Sequence, residues 1–136
     1  MTTAIGVMEV RLFTDEAPAT AGRVVELARQ GYYNGLGFWR VAPGFVLQGG
    51  SPGSNEYSGD GPFMPDELGL RGNTRGTIGL STRGRHTGDA QIFVNLLDNP
   101  RLDHDFTVFG EITLGMDVAD GILEGDVIKQ VEVLTR

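Results

Sequence analysis

The sequence has no cysteine, which removes disulfides, thiolate nucleophiles and cysteine-ligated zinc together. Long hydrophobic runs are missing as well: none approaches the ~20 apolar residues that a membrane helix needs. Met1-Thr2-Thr3-Ala4-Ile5 carries no basic segment followed by an apolar stretch, so no signal peptide is read and a cytoplasmic location is expected. Positive charge is scarce. The 11 Lys and Arg face 18 Asp and Glu, a formal net charge of −7, whereas a nucleic-acid partner calls for a basic face. The 2 histidines, His86 and His104, stand far apart in loop-like stretches without paired spacing, so no metal site is expected. Residues 98–105 are rich in acids but lack the spacing and glycine of a calcium loop. Ser81, His86 and Asp89 do not read as a triad, because Gly79-Leu80-Ser81-Thr82-Arg83 breaks the GxSxG pattern. Gly49-Gly50-Ser51-Pro52-Gly53 lacks the lysine and following helix of a phosphate cradle.

What is present describes one globular domain over residues 1–136, with 40% apolar and 21% charged residues. Glycine is abundant, at 21 residues, and falls mostly between element-like segments, which predicts many tight turns. Residues 4–13 alternate, with Met8, Val10 and Leu12 on one side and Glu9 and Arg11 on the other, as in a half-buried strand. Ala17-Pro18 opens a helix whose apolar face is Ala21, Val24, Val25 and Ala28, and Gly31 is its expected stop. Strands are predicted at 36–41, 45–49, 76–82, 91–97 and 106–112. A second helix is predicted over 114–122, with Met116, Ala119 and Leu123 on one face. The last strand, 126–134, is expected to bury Val127, Val131 and Val133. Residues 50–75 read as loop with one short strand near Phe63. Six or more strands with only two helices exclude a doubly wound sheet; a mainly β, closed antiparallel barrel with the helices plugging its ends fits instead.

The stretch with chemistry is Phe38-Trp39-Arg40-Val41-Ala42-Pro43-Gly44-Phe45-Val46-Leu47-Gln48-Gly49-Gly50. Two apolar runs meet at a Pro-Gly turn, flanked by one guanidinium and one amide. Arginine offers only donors and glutamine offers both donor and acceptor, so the pair can grip an amide lying over Phe45. Alternation puts Gln91 with Phe93 on one face and Val46 with Gln48 on one face. Phe45 has the opposite parity and joins them only if the turn bends the chain.

The pattern Phe38-x-Arg40-Val41-x-Pro43-Gly44-Phe45-Val46-x-Gln48-Gly49-Gly50 resembles the signature of cyclophilin-type peptidyl-prolyl cis-trans isomerases. Leu12-Phe13-x-Asp15-x-Ala17-Pro18-x-Thr20, Gly76-Thr77-Ile78-Gly79-Leu80-Ser81, Gln91-Ile92-Phe93-Val94, Leu102-Asp103 and Val108-Phe109-Gly110 resemble the family's other blocks, in order. The resemblance implies the eight-stranded barrel, no cofactor, and proline-containing peptides or unfolded proteins as partners of a monomer. It implies that Arg40 is the catalytic arginine, acting with Phe45 and Gln48 at the proline site. Val46, Phe93 and Leu102 fall on hydrophobic-pocket positions, and Ser81, Thr82 and Gln91 on positions that edge the groove. Phe106 stands where many members have histidine, and Trp39 where a histidine is common. Ile92 replaces the usual phenylalanine after the glutamine and is expected to face the core. Arg101 falls where cyclosporin-sensitive members often have tryptophan, which implies weak or no cyclosporin binding. Arg83, Arg85 and His86 are expected to crowd the groove and favour acidic residues near the target proline. Two other readings stay open: a proline-peptide-binding or chaperone-like module with little turnover, and a barrel that binds a small ligand.

Overall fold

The computed structural model describes residues 1–55 and 63–134. The single strand expected over residues 4–13 is divided: β1 (Thr2–Thr3), ahead of that range, pairs with β2 (Gly6–Val7) in a small sheet, and β3 (Glu9–Leu12) alone enters the larger one. Met8 is buried, with Val10 and Leu12 packed against the same core, which is the face the alternation predicts. Helix α1 (Pro18–Arg29) has proline in its first turn and buries Ala21, Leu27 and Ala28. It ends where glycine permits a left-handed residue: Gly31 has φ +76°. There the Tyr32 N–H reaches the Leu27 carbonyl at 3.0 Å and the Gly31 N–H the Ala28 carbonyl at 3.1 Å, which satisfies two otherwise orphaned carbonyls. The other end has no side-chain cap of its own. Glu67 supplies it from a distant loop, accepting from the N–H groups of Ala19 at 3.1 Å and Thr20 at 2.6 Å.

The remaining strands are β4 (Arg40–Ala42), β5 (Val46–Gly49), β6 (Thr77–Leu80), β7 (Ile92–Asn95), β8 (Val108–Leu114) and β9 (Ile128–Gln130). A single 3-10 turn (Pro100–Leu102) precedes β8, and helix α2 (Met116–Gly121) follows it. Six strands pair in the order β3-β8-β6-β7-β5-β4, and three in the order β2-β1-β9. The fold is therefore mainly β with two helices. One lateral row, Leu47–Val94–Ile78, points inward and is buried across three strands. This row helps form the floor on which the opposite face is built. Ile92 is buried in the same core, as the sequence predicts.

Several elements depart from the sequence reading. The strand expected at 36–41 contracts to β4, because residues 36–38 are held instead by the segment after α2. Phe38 donates to Asp126 at 2.9 Å and accepts from Gly125 at 2.9 Å, while Ile128 donates to Leu36 at 2.8 Å. The last strand shortens to β9 and turns over: Ile128 is fully buried, whereas Val127 is 43% exposed. The chain leaves the ladder after Gln130, where the Val131 N–H goes to the Asn34 side chain at 3.1 Å, so the alternation does not persist. Val131 and Val133 still pack against the core as half-buried residues. Helix α2 is shorter than predicted, since Gly115 at φ +94° separates it from β8. Leu114 stays in β8 and, like Leu123, is mostly exposed, and Ile122 takes the inward place given to Leu123. The short strand expected near Phe63 is a single bridge between Met64 and Gly88.

A buried polar ladder ties the irregular segments together. The Asn95 amide donates to the Asn73 side chain at 3.1 Å and to the Thr77 hydroxyl at 2.9 Å. The Asn99 amide donates to the Asn95 side chain at 2.9 Å. Asp103 continues the chain, accepting from the Asn73 N–H at 2.7 Å. That backbone hydrogen bond holds the Asp103 carboxyl below its usual range. The Arg75 and Arg71 hydrogen bonds do the same for Asp120 and Glu16. A carboxylate whose folded pKa is depressed contributes stability above its unfolded pKa, and that stability is lost as pH falls through the folded value. The urea midpoint is therefore expected to hold from neutrality to about pH 5 and drop below about pH 4. Asp103→Asn should flatten part of the drop; an identical pH profile for the variant would contradict this.

Candidate active site

Four neighbouring strands place one residue each in a single lateral row. Arg40 pairs with Gln48, Gln48 with Phe93, and Phe93 with Gly79. Residues directly opposite across a sheet share a face, so a guanidinium, an amide and an aromatic ring stand in line over a glycine. The Arg40 Nη1 donates to Gln48 Oε1 at 2.6 Å, and the Gln48 Nε2 donates to the Ser81 hydroxyl at 3.3 Å. Arg40 is exposed but oriented, because the amide oxygen fixes one edge of its fork and leaves the others free.

Phe45 meets the geometric condition that its parity set. Pro43 and Gly44, with φ +68° at the glycine, make the turn, and the Phe45 N–H closes it on the Ala42 carbonyl at 2.9 Å. The turn lays the Phe45 ring 5.9 Å from the Arg40 guanidinium carbon. Its carbonyl is pinned by the Leu96 N–H at 2.9 Å and the Asn99 amide at 3.1 Å, so the buried amide ladder sets where the ring stands. Phe93 is buried and meets Phe106 edge-to-face at 5.5 Å. Val46 is buried on the same strand face as Gln48, and Leu102, at the end of the 3-10 turn, is half-buried.

Gly79 is the member that sequence reasoning passes over. A methyl group there would run into the Phe93 ring, so the absence of a side chain creates the seat for the aromatic floor. A glycine inside an apolar strand run is the available signal, since it marks a close approach. The β6–β7 register that identifies what approaches is not contained in either segment.

Ser81, Thr82, Arg83, Thr87 and Asp89 line a small recess beside Gln48. Gln91 is buried, and its side-chain N–H donates to the Asn55 carbonyl at 3.0 Å. Its amide therefore braces the 51–55 turn, while its own carbonyl receives the Ser81 N–H at 2.9 Å. Of the three residues expected to crowd the groove, only Arg83 borders that recess. Arg85 turns to Asp66 and Asp105, at 3.7 and 3.8 Å, and the His86 Nδ1 accepts from the Asp66 N–H at 2.9 Å. Those two residues stitch loops together. Arg101 covers Phe45, its guanidinium carbon 4.4 Å from the ring centroid. Among the described residues, no three His, Asp or Glu side chains converge as a metal ion would require.

This arrangement suits a planar group held on an apolar floor beneath a fixed cation, and similarity to known proteins gives the group a class. A family model described as cyclophilin type peptidyl-prolyl cis-trans isomerase/CLD matches residues 1–135. A peptidyl-prolyl cis-trans isomerase of Helicobacter pylori is 42% identical over 130 residues, covering 93% of this chain and 80% of that one. The peptidyl-prolyl cis-trans isomerase B of Bacillus subtilis is 37% identical over 128 residues, covering 93% and 90%. A cyclophilin type isomerase of Cryptosporidium parvum, crystallised with the dipeptide Ala-Pro, superposes with a TM-score of 0.91 at 20% identity, covering 100% of this chain and 98% of that one. The chain belongs to the cyclophilin-type peptidyl-prolyl cis-trans isomerase family, and its fold is cyclophilin-like. Its enzyme class is accordingly that of isomerases acting on the bond before proline.

Proposed function

We propose that this chain speeds rotation about Xaa-Pro bonds without covalent chemistry, by favouring the twisted bond over either planar form. The observation that carries the reading is the lateral row of Arg40, Gln48 and Phe93, with Phe45 folded back beside it. Rotation must overcome roughly 18–20 kcal/mol, because amide resonance is lost on the way. At the top of the barrier the proline nitrogen regains a lone pair that it lacks when planar. A donor aimed at that nitrogen binds the twisted form better than the ground states, which is what lowers a barrier. Arg40 suits the task, since it stays charged and needs no proton transfer. Phe45, Phe93, Val46, Leu102 and Phe106 supply an apolar seat for the ring, and Ser81, Thr82 and Gln48 edge the path of the flanking backbone, whereas Gln91, expected at that edge, is buried and braces the 51–55 turn. Four or five decades of acceleration ask for about 5–7 kcal/mol of differential binding.

The test is isomerisation of a short Xaa-Pro peptide by substoichiometric protein, with Arg40→Ala as control. Turnover that depends on Arg40 supports the reading. Peptide binding with the same negligible rate for both proteins would instead select the binding or chaperone-like module.

Around that core we read residues 1–136 as one domain, a closed eight-stranded barrel acting as a monomer in the cytoplasm on proline-containing peptides and unfolded proteins. The isolated Gly37–Val127 bridge, formed by the segments just ahead of β4 and β9, favours closure. Among the described residues, no helix is long and apolar enough to cross a membrane. Weak cyclosporin binding follows from Arg101, whose charged edge stands where a flat apolar ring serves sensitive members. An inhibition titration should show no nanomolar potency; such potency would overturn the expectation.

A further inference from the structure

A guanidinium stacked on an aromatic ring keeps its hydrogen-bonding capacity, because stacking uses its face while the N–H groups point outward along its edge. Arg101 is held in this way on Phe45. Among the described residues Arg11, Arg23, Arg71, Arg75 and Arg85 each sit against a carboxylate. Arg101 does not, although the chain carries a net charge of −7. Its acidic neighbours in sequence are engaged elsewhere: Asp98 accepts from the Arg75 N–H at 2.8 Å and Asp103 from the Asn73 N–H at 2.7 Å.

The position of this cation relative to the proline seat follows from β7. Gln91, just before that strand, accepts from Ser81, and Leu96, just after it, donates to Phe45. At about 3.3 Å per residue those points lie roughly 16 Å apart, with Phe93 between them. A client laid along β7 with its proline on Phe93 would pass Ser81 and Thr82 on one side and cross Phe45 and Arg101 on the other. Its residues adjoining the proline come within reach of the free guanidinium edge, beside a second cation, Arg40, on the same ring.

We propose that Arg101, on its Phe45 platform, forms a carboxylate-binding subsite that selects clients with Asp or Glu within two residues of the target proline. The inference rests on the isomerase reading and adds a substrate class to it. The stack orients the fork before the client arrives, so less side-chain freedom is lost on pairing, and a carboxylate meeting the edge can be held by two parallel hydrogen bonds. Because Arg101 is exposed, the gain is modest and sensitive to salt.

The experiment compares Glu with Gln at each of the two positions before and after proline in a short peptide series. The proteins are the wild type, Arg101→Gln and Arg101→Lys, in low and high salt. At one or more positions the wild type should prefer Glu by about twofold to fivefold in kcat/KM, mainly through KM. The preference should shrink in salt, vanish in Arg101→Gln and survive in part in Arg101→Lys. A wild type with no Glu preference at any position, or a preference that persists in Arg101→Gln, overturns the proposal. Turnover of the Gln peptides by the wild type tests the isomerase reading separately. If turnover is absent, the same Glu-to-Gln ratio is read from equilibrium binding, so the two failures are distinguishable.

Discussion

Arg40→Ala is expected to lower kcat/KM for an Xaa-Pro peptide by about two to three decades, a loss of roughly 3–4 kcal/mol in transition-state binding. The geometry says why the loss should fall mainly on kcat. In the proposed mechanism the planar proline rests on Phe45, Phe93 and Val46 through apolar contact, and the burial and backbone hydrogen bonds of these residues do not involve the guanidinium. Only the half-rotated bond presents a nitrogen lone pair, so only that state loses a partner when Arg40 is removed. Stability should change little, since the side chain is exposed and its contacts among the described residues are the Gln48 amide and the Phe45 ring. Arg40→Lys should fall between, because an ammonium can supply charge but cannot grip Gln48 and point at the nitrogen with the same rigid fork. Steady-state kinetics with a proline peptide, alongside a urea midpoint for each protein, make the check. An Arg40→Ala protein with the wild-type rate would remove the mechanism altogether.

Gly79→Ala should damage stability and activity together. A single added methyl lands in the Phe93 ring, and the ring has no easy retreat, being buried and wedged edge-on against Phe106 at 5.5 Å. Overpacking of this kind costs about 1–3 kcal/mol. The ring must lift into the space that a client's proline would occupy, so KM should rise several-fold or more. A companion variant separates the two effects. Adding Phe93→Leu to Gly79→Ala removes the clash and should recover much of the stability, but not the activity, because the flat floor is gone. A Gly79→Ala protein as stable as the wild type, with an unchanged KM, would show that the ring is not seated as described.

The sequence carries those parts of the fold that depend on short-range signals. Met8, Val10 and Leu12 announce their common face through alternation, and α1 is bounded by Pro18 and Gly31. The Arg40–Gln48 pairing could be foreseen because both residues flank one Pro-Gly turn, so the hairpin itself sets the register. What stays hidden depends on pairings between remote segments. That Gly79 lies beneath Phe93 requires the β6–β7 register. That Ile128 goes inward while Val127 does not depends on hydrogen bonds to residues 36–38. Arg85 and His86 sit close to the groove residues in sequence, yet Asp66 and Asp105 draw them elsewhere. The ladder of Asn73, Asn95 and Asn99 is equally silent, since nothing in an isolated asparagine shows that it will be buried among others.

The cap that Glu67 provides makes the segment 63–76 before β6 part of a helix it never joins. Shortening or exchanging that segment would strip two N–H groups at the start of α1 of their acceptor and let the first turn fray. A dye or affinity handle is better attached at Leu70, which is 98% exposed and only a few residues further along. Loop engineering in this protein is thus confined to a narrow window, and its outer limit is set by a helix on the other side of the bend.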